Sequence, residues 1–452
     1  MSLNHLASRF TCSWPWSTLV LLCDGRVVCG CADPYAARVL GDARNGSVAD
    51  IWRGPSMSAL RADLDAGGSG FCDECPLKLP LAPDEAPRVR PDASALPNRI
   101  FIECTAACNL SCYQACCAPE TGIVRTREAG MLDFDVFKRV VDEAGASLVR
   151  IDLFNYGETF LHKRAIEMCE YIKTRFPQIY LYTSTNGLAF TDDSARRLVH
   201  SGIDEVTFSI DGATPATYAR YRQRGDFDRA IRHLRLMAEE KRAAGRDVPV
   251  LNWRYILFTW NDDDAEMNRA REMAAGMGID RLSWEITDHP EDAFSRRFRP
   301  GTPDYETVRH EIWDTSNLGN AIPGATPRAR IEVPSLVPAL PLLARAARPL
   351  RVRTRVHNLS TRPFPAQASY GRRLVRLGAQ LCSADGALLD RDYARAWLPF
   401  ALDPGARADV PLDLVAPPTP GRYALKFDLV SEGIDWFEAC GSETTIKNLW
   451  VR

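Results

Sequence analysis

Two patterns of apolar and polar residues divide the chain. Between residues 98 and 290, short and nearly all-apolar runs alternate with amphipathic stretches whose apolar residues recur at i, i+3 and i+4. Such runs are typical of parallel strands buried on both faces, and such stretches are typical of helices. The runs predict strands over residues 98–104, 148–155, 178–185, 204–210, 250–258 and 280–286.

Six β–α units in about 190 residues indicate an α/β fold. A full eight-unit barrel usually needs about 250 residues. The pattern therefore predicts a partial (β/α)6 TIM-like barrel over residues 98–290.

The second pattern begins near residue 348, where apolar and polar residues alternate up to residue 452. Asp385-Gly386, Pro404-Gly405 and Pro420-Gly421 separate the alternating runs, as turns separate antiparallel strands. This pattern predicts an antiparallel β-sandwich. Residues 291–347 form an irregular connecting segment by this pattern.

Residues 80–97 are rich in Pro, Ala and charged side chains and carry no apolar period, which is typical of an extended linker. A linker at this position sets residues 1–79 apart as a small N-terminal domain rich in cysteine.

Charge and hydropathy exclude several classes of partner. The 452 residues include 56 Lys and Arg against 58 Asp and Glu, for a formal net charge of −2. This balance argues against a nucleic-acid partner and against a polybasic membrane anchor. There is no apolar run of about 18 residues that would span a membrane, and the N-terminus lacks the pattern of an export signal. We therefore expect a cytoplasmic protein.

The 14 cysteines change this picture because they are clustered: six precede residue 80 and five lie between residues 104 and 117. Clustered cysteines in a cytoplasmic chain indicate metal binding rather than disulfides. Cys108, Cys112 and Cys116 follow a predicted strand, and three thiolates on a four-iron cluster would leave one iron open for chemistry. A structural zinc loop is the alternative.

The segment CTAACNLSCYQAC resembles the cluster loop of radical S-adenosylmethionine (SAM) enzymes. The resemblance makes Cys108 and Cys112 the first two ligands of a catalytic 4Fe–4S cluster. The usual CxxxCxxC spacing would put the third ligand at Ala115, so Cys116, one residue later, is preferred. A shift to Cys104, Cys108 and Cys112 is the alternative, and the neighbouring thiol of Cys117 leaves the choice open.

Motifs at three further predicted strand ends strengthen this resemblance. Residues 155–158 (NYGE) resemble the family's GGE segment, residues 185–187 its TNG segment, and residues 208–212 (FSIDG) the end of its fourth strand. All of them lie where barrel enzymes place their active sites. The SAM-binding residues that the resemblance implies are Tyr156, Gly157, Glu158, Asn186, Ser209, Asp211 and Arg222.

The N-terminal cysteines resemble those of a SPASM domain, the auxiliary iron–sulfur module of many radical SAM enzymes. The resemblance implies an auxiliary 4Fe–4S cluster, with a structural zinc as the alternative. Its ligands would be Cys12, Cys31, Cys72 and Cys75, with Cys29 as the alternative to Cys31. This module usually follows the barrel, whereas here it precedes it.

The family resemblance implies reductive cleavage of SAM and abstraction of a hydrogen atom from a substrate C–H bond. An external one-electron reductant of the flavodoxin or ferredoxin type would be a partner. Residues 349–452 resemble β-sandwich domains attached to polysaccharide-handling proteins. Candidate sugar-stacking residues are Trp397, Tyr423, Trp436, Phe437 and Trp450.

We therefore expect a small-molecule sugar or an oligosaccharide as substrate, modified by epimerisation or by oxidation to a ketone. Cys23 and Cys117 are candidate hydrogen donors for an epimerase. A peptide-modifying SPASM maturase is the alternative, and a non-catalytic iron–sulfur or glycan-binding scaffold is an alternative of another class.

Overall fold

The computed structural model divides the chain into two units, residues 1–313 and residues 314–452. It describes residues 10–11, 14–30, 33–66, 72, 79–80, 96–97, 99–115, 117–118, 122–148, 150–299, 302–308, 311–312, 328–334, 340–360, 364, 375–399, 402–431, 435–440 and 442–452. In that part of the chain, no helix is both long and apolar enough to cross a membrane.

The described strands of the first unit are β1 (Phe10–Thr11), β2 (Thr18–Leu21), β3 (Arg26–Val28), β4 (Val39–Asp42), β5 (Leu79–Pro80), β6 (Arg99–Ile102), β7 (Arg150–Asp152), β8 (Tyr180–Thr185), β9 (Glu205–Ser209), β10 (Val250–Ile256) and β11 (Arg281–Glu285). Its described helices are α1 (Trp14–Ser17), α2 (Val48–Trp52), α3 (Pro55–Asp65), α4 (Phe134–Ala144), α5 (Ala165–Arg175), α6 (Asp192–His200), α7 (Pro215–Tyr221), α8 (Phe227–Ala243), α9 (Asp264–Met277) and α10 (Pro303–Val308).

Strands β6 to β11 are parallel and neighbour one another in chain order, with helices between them. Each lies inside one of the six ranges that the apolar runs predict. The α/β prediction with parallel strands is therefore confirmed, whereas closure into a partial barrel stays a prediction.

The two faces of this sheet differ in chemistry. Ile100, Ile151 and Leu181 are fully buried in the apolar cluster that also holds the helix side chains. Several alternate positions are polar: Asp152 is buried and accepts hydrogen bonds from Arg99 Nε at 2.5 Å and from Arg150 Nη2 at 2.6 Å. The expectation of strands that are apolar on both faces was therefore wrong at these positions.

The N-terminal segment does not form a separate layer. Strand β2 pairs with β6 in parallel, with Leu19 opposite Ile100, and β3 and β4 continue the sheet as antiparallel strands. Among the described residues the sheet thus has nine strands in the order β11-β10-β9-β8-β7-β6-β2-β3-β4. Most of the predicted linker, residues 81–95, lies outside the described residues.

The described strands of the second unit are β12 (Ala329–Glu332), β13 (Leu342–Ala344), β14 (Pro349–Asn358), β15 (Val375–Ser383), β16 (Leu388–Trp397), β17 (Arg407–Val415), β18 (Gly421–Ser431), β19 (Asp435–Trp436) and β20 (Thr445–Val451). They form one sheet of order β12-β14-β17 and another of order β13-β20-β18-β15-β16, with β19 on β18. Side chains from both sheets share one apolar cluster. Strands β12 and β13 lie in the segment that we expected to be irregular.

Four of the five aromatic residues proposed to stack on sugars separate into two groups, and the fifth, Tyr423, packs half-buried against the unit's apolar cluster. Trp436 and Phe437 are 4% and 1% exposed, so burial in the unit's interior excludes them from sugar contact. Trp397 and Trp450 are 56% and 38% exposed, and Arg376 and Arg422 cover their rings.

Candidate active site

The proposed cluster loop begins directly after β6. Its first cysteine, Cys104, is buried, and its Sγ lies 3.7 Å from Met168 Sδ. Cys104 thus packs as a core side chain, which does not favour the alternative ligand set that contains it. Cys108 and Cys117 are half-buried and Cys112 is 8% exposed, whereas Cys116 lies outside the described residues.

Three segments that follow strands β7, β8 and β9 direct N–H groups at the sulfurs of this loop. Gly157 N donates to Cys117 Sγ at 3.4 Å. Asn186 Nδ2 approaches Cys108 Sγ at 3.9 Å, and Arg222 Nη1 donates to Cys112 Sγ at 3.5 Å. The structure therefore brings together residues that the sequence motifs place up to 110 positions apart.

Burial dominates the protonation of the free thiols. It raises the pKa of Cys108 to about 12, and it raises the pKa of Cys112 against the opposing effect of Arg222. Both thiols are therefore neutral without metal, and binding an iron cluster would displace their protons. N–H donors around sulfur are the environment that cluster-ligating thiolates need.

Glu158 connects two of the strand-end segments. It is 2% exposed, and its carboxylate accepts hydrogen bonds from Thr185 Oγ1 and from Asn186 N, both at 2.7 Å. Burial raises the pKa of Glu158, and these donors oppose that rise. The carboxylate predicted to contact SAM thus also holds Asn186 in place.

Gly157 occupies a position that only glycine fits. Its φ is +76°, and a Cβ there would lie 2.3 Å from the carbonyl oxygen of Thr105 and 2.7 Å from that of Ala107. The absent side chain allows Glu158 N to donate to Ala107 O at 2.8 Å. Tyr156, which replaces the first glycine of the GGE pattern, packs half-buried against the apolar cluster.

Asp211 and Arg222 form a buried ion pair. Arg222 Nε donates to Asp211 Oδ2 at 2.5 Å, and Asp211 Oδ1 accepts from Ile256 N at 2.7 Å. Burial disfavours the charge on Arg222, but Asp211 beside it keeps the pKa of Arg222 above its ordinary value. The guanidinium therefore stays a cation next to Cys112, where it can bind a carboxylate.

Ser209 has protein partners of its own. Its Oγ accepts from Arg254 Nη2 at 2.8 Å and lies 3.2 Å from Ser184 Oγ. Arg254 Nε in turn lies 3.1 Å from Glu285 Oε2. The sequence motifs did not identify Ser184 or Arg254 as site residues. Their only signal in the sequence was that each is a polar residue within a largely apolar predicted strand.

Cys23 follows β2 and lies near the carboxyl ends of the parallel strands, because β2 runs parallel to β6. Its N–H donates to Glu103 Oε1 at 3.2 Å, and Arg127 holds both oxygens of Glu103 at 2.9 Å. Burial, followed by the nearby Glu103 carboxylate, raises the pKa of Cys23 to about 12. It is therefore a neutral thiol, as a hydrogen-atom donor must be, and that role stays a prediction.

The proposed auxiliary site is described only in part. Cys72 is buried in the apolar cluster of the first unit and Cys29 packs against that cluster, whereas Cys12, Cys31 and Cys75 lie outside the described residues. In the part that is described, no three His, Cys, Asp or Glu residues lie close enough to hold a single metal ion.

Comparison with known families identifies two regions. The radical SAM superfamily model matches residues 102–269, and the model of the iron–sulfur cluster-binding SPASM domain matches residues 12–76.

Curated relatives match the chain over part of their length. The GTP 3′,8-cyclase of Desulforamulus reducens is 30% identical over 142 residues, which are 31% of this chain and 43% of that protein. The mycofactocin maturase MftC of Mycobacterium tuberculosis is 31% identical over 136 residues, 30% of this chain and 33% of that protein. The chain thus spans less than half the length of each.

Among solved structures, SuiB of Streptococcus suis bound to S-adenosylmethionine aligns at 17% identity and a TM-score of 0.33. The alignment covers 42% of this chain and 41% of that one.

The family matches confirm the radical SAM and SPASM resemblance, whereas neither relative's name supports the carbohydrate-modifying part of it. The chain contains a radical SAM domain and a SPASM domain, whose cofactors are S-adenosylmethionine and 4Fe–4S clusters, one catalytic and one auxiliary.

Proposed function

We propose that this chain is a radical SAM enzyme that cleaves SAM reductively and abstracts a hydrogen atom from a C–H bond of a peptide. The observation that carries the proposal is the meeting of Cys108 and Cys112 with Asn186 and Arg222, which come from separate strand ends. The bound cluster and SAM supply the hydrogen-abstracting radical, and an external flavodoxin- or ferredoxin-type protein supplies the electron.

The chain's own residues bind SAM and orient it. Arg222, kept cationic by Asp211, offers a guanidinium to the carboxylate of SAM beside Cys112. Glu158 fixes the Asn186 segment through two hydrogen bonds, so that the backbone on both sides is positioned before SAM arrives.

A peptide is a better-supported substrate than a sugar. The relatives' names describe a maturase and a GTP cyclase, and a third relative, from Pyrococcus furiosus, is a cofactor-modifying protein; none of these three names a carbohydrate. The C-terminal aromatic residues support sugar binding weakly, since Trp436 and Phe437 are buried. The peptide-maturase alternative therefore replaces the sugar expectation as the main proposal.

The first experiment tests SAM cleavage. The anaerobically reconstituted protein is incubated with SAM and dithionite, and 5′-deoxyadenosine is measured by mass spectrometry. We expect Arg222→Lys to lower the rate at least tenfold, because Lys cannot pair Asp211 and a carboxylate through one planar fork. Arg220→Lys, an exposed control on α7, the helix that ends directly before Arg222, should leave the rate unchanged. Bound iron without any 5′-deoxyadenosine would establish the scaffold alternative instead.

The second experiment tests the substrate class. A defined pool of synthetic peptides and a set of nucleotide sugars and oligosaccharides are added separately to the same reaction. We expect the peptides to accelerate 5′-deoxyadenosine formation. Acceleration by the sugars alone would refute the peptide substrate while leaving SAM cleavage intact.

A further inference from the structure

The third ligand of the catalytic cluster is ambiguous in the sequence. Cys108 and Cys112 have the expected spacing, but the usual third position is Ala115, and two adjacent cysteines follow it. The choice is therefore between two adjacent thiols, of which the described residues include Cys117.

Cys117 has the same kind of environment as the two predicted ligands Cys108 and Cys112. Its Sγ receives a hydrogen bond from Gly157 N at 3.4 Å, as Cys112 Sγ does from Arg222 and as Asn186 faces Cys108 Sγ. Each sulfur thus faces an N–H donor from a different strand-end segment. Hydrogen bonds to the sulfurs are a principal means by which proteins stabilise iron–sulfur clusters and tune their potentials.

The donors that face Cys117 and Cys108 belong to connected segments. Gly157, whose N–H donates to Cys117 Sγ, directly precedes Glu158, and the Glu158 carboxylate accepts a hydrogen bond from Asn186 N at 2.7 Å. The side chain of Asn186 in turn faces Cys108 Sγ.

We propose that Cys117, rather than Cys116, is the third thiolate of the catalytic cluster, which gives a Cx3Cx4C ligand set of Cys108, Cys112 and Cys117. The proposal rests on the catalytic cluster of the proposed function and assigns its protein ligands. It also removes Cys117 from the candidate hydrogen donors and leaves Cys23.

The test compares Cys117→Ala with its neighbour Cys116→Ala, each reconstituted anaerobically in the full chain. Two 4Fe–4S clusters correspond to about eight irons per chain. We expect Cys117→Ala to retain about four irons and to lose the change that SAM causes in the electron paramagnetic resonance spectrum of the reduced protein. Cys116→Ala should retain about eight irons and that spectral change.

The iron that remains in Cys117→Ala, together with an unchanged circular dichroism spectrum, shows that the variant has folded. Loss of the SAM-dependent signal in Cys116→Ala, or its retention in Cys117→Ala, would overturn the assignment. Both readouts precede turnover, so the ligand assignment can stand even if no peptide is modified.

Discussion

At the scale of single residues, Gly157 combines a backbone requirement with proximity to the cluster loop. It shares a positive φ with Gly245, at +76° and +61°, but only Gly157 has neighbours where a Cβ would be. A side chain at either position adds roughly 1–2 kcal/mol of left-handed backbone strain. Substitutions at these two glycines therefore distinguish the effect of backbone strain from the effect of a steric clash.

We expect Gly157→Ala to lower SAM cleavage more than tenfold and to reduce bound iron, because its Cβ would displace the carbonyls of Thr105 and Ala107. Gly245→Ala should cost about the same strain and leave both measurements unchanged. Equal effects of the two substitutions on iron content would show that strain alone explains the requirement for glycine.

Asp428 gives the second unit a pH dependence of its own. It is fully buried on β18, and burial raises its pKa from 3.8 to about 7 although Leu429 N and Glu438 N donate to its carboxylate. Between these two values the folded state holds a proton that the unfolded state has released. Stability from this group is therefore present at low pH and is lost as pH rises through about 7.

We expect Asp428→Asn to be less sensitive to pH than the wild type. Raising the pH from about 5.5 to about 8 should cost the wild type about 2 kcal/mol more than the variant. Thermal unfolding of both proteins at the two pH values measures this difference. The exposed Asp403→Asn is the control, and an identical pH response of the Asp428 variant would refute the assignment.

At the scale of elements, the Glu103–Arg127 pair connects the end of β6 to the N-terminal segment. The two side chains are 0% and 1% exposed, and Arg127 Nε also donates to Pro34 O at 2.7 Å. Removing one member of such a buried pair leaves an uncompensated charge in the interior.

We expect Arg127→Met to lower the free energy of unfolding by about 3–5 kcal/mol. The double variant Glu103→Gln/Arg127→Met should lose less than the single variant, because no charge is then left unpaired. Urea denaturation measures both, and Arg197→Met, which breaks an exposed pair with Glu170, should cost less than about 1 kcal/mol. A double variant no more stable than Arg127→Met would contradict this account.

At the scale of the whole molecule, each of the two units has an apolar cluster of its own. We expect residues 328–452 to fold when expressed alone, with cooperative thermal unfolding. We expect residues 1–312 to retain bound iron and SAM cleavage. An unfolded C-terminal fragment would show that this unit needs the rest of the chain to fold. An N-terminal fragment that binds no iron would show the same dependence for the first unit.

Much of this fold could be predicted from local pattern. Six apolar runs predicted six parallel strands, and alternation predicted the strands from 349 onward. The pairing of β2 with β6 could not be predicted, because the two strands are more than 70 residues apart and nothing in either sequence names its partner. The buried polar positions of the sheet were missed because the burial of Asp152 depends on its pairing with Arg99 and Arg150.

The sequence by itself determined the chemistry available: cysteine clusters, strand-end motifs, and the order of strands and helices that carry them. Tertiary structure alone decided which side chains meet. In the folded chain, the side chain of Cys104 packs in the core, Gly157 N donates to Cys117 Sγ, and Arg254 donates to Ser209. The physical reason is that spacing along the chain sets which residues are possible ligands, whereas the direction of each side chain depends on the strands and loops packed around it.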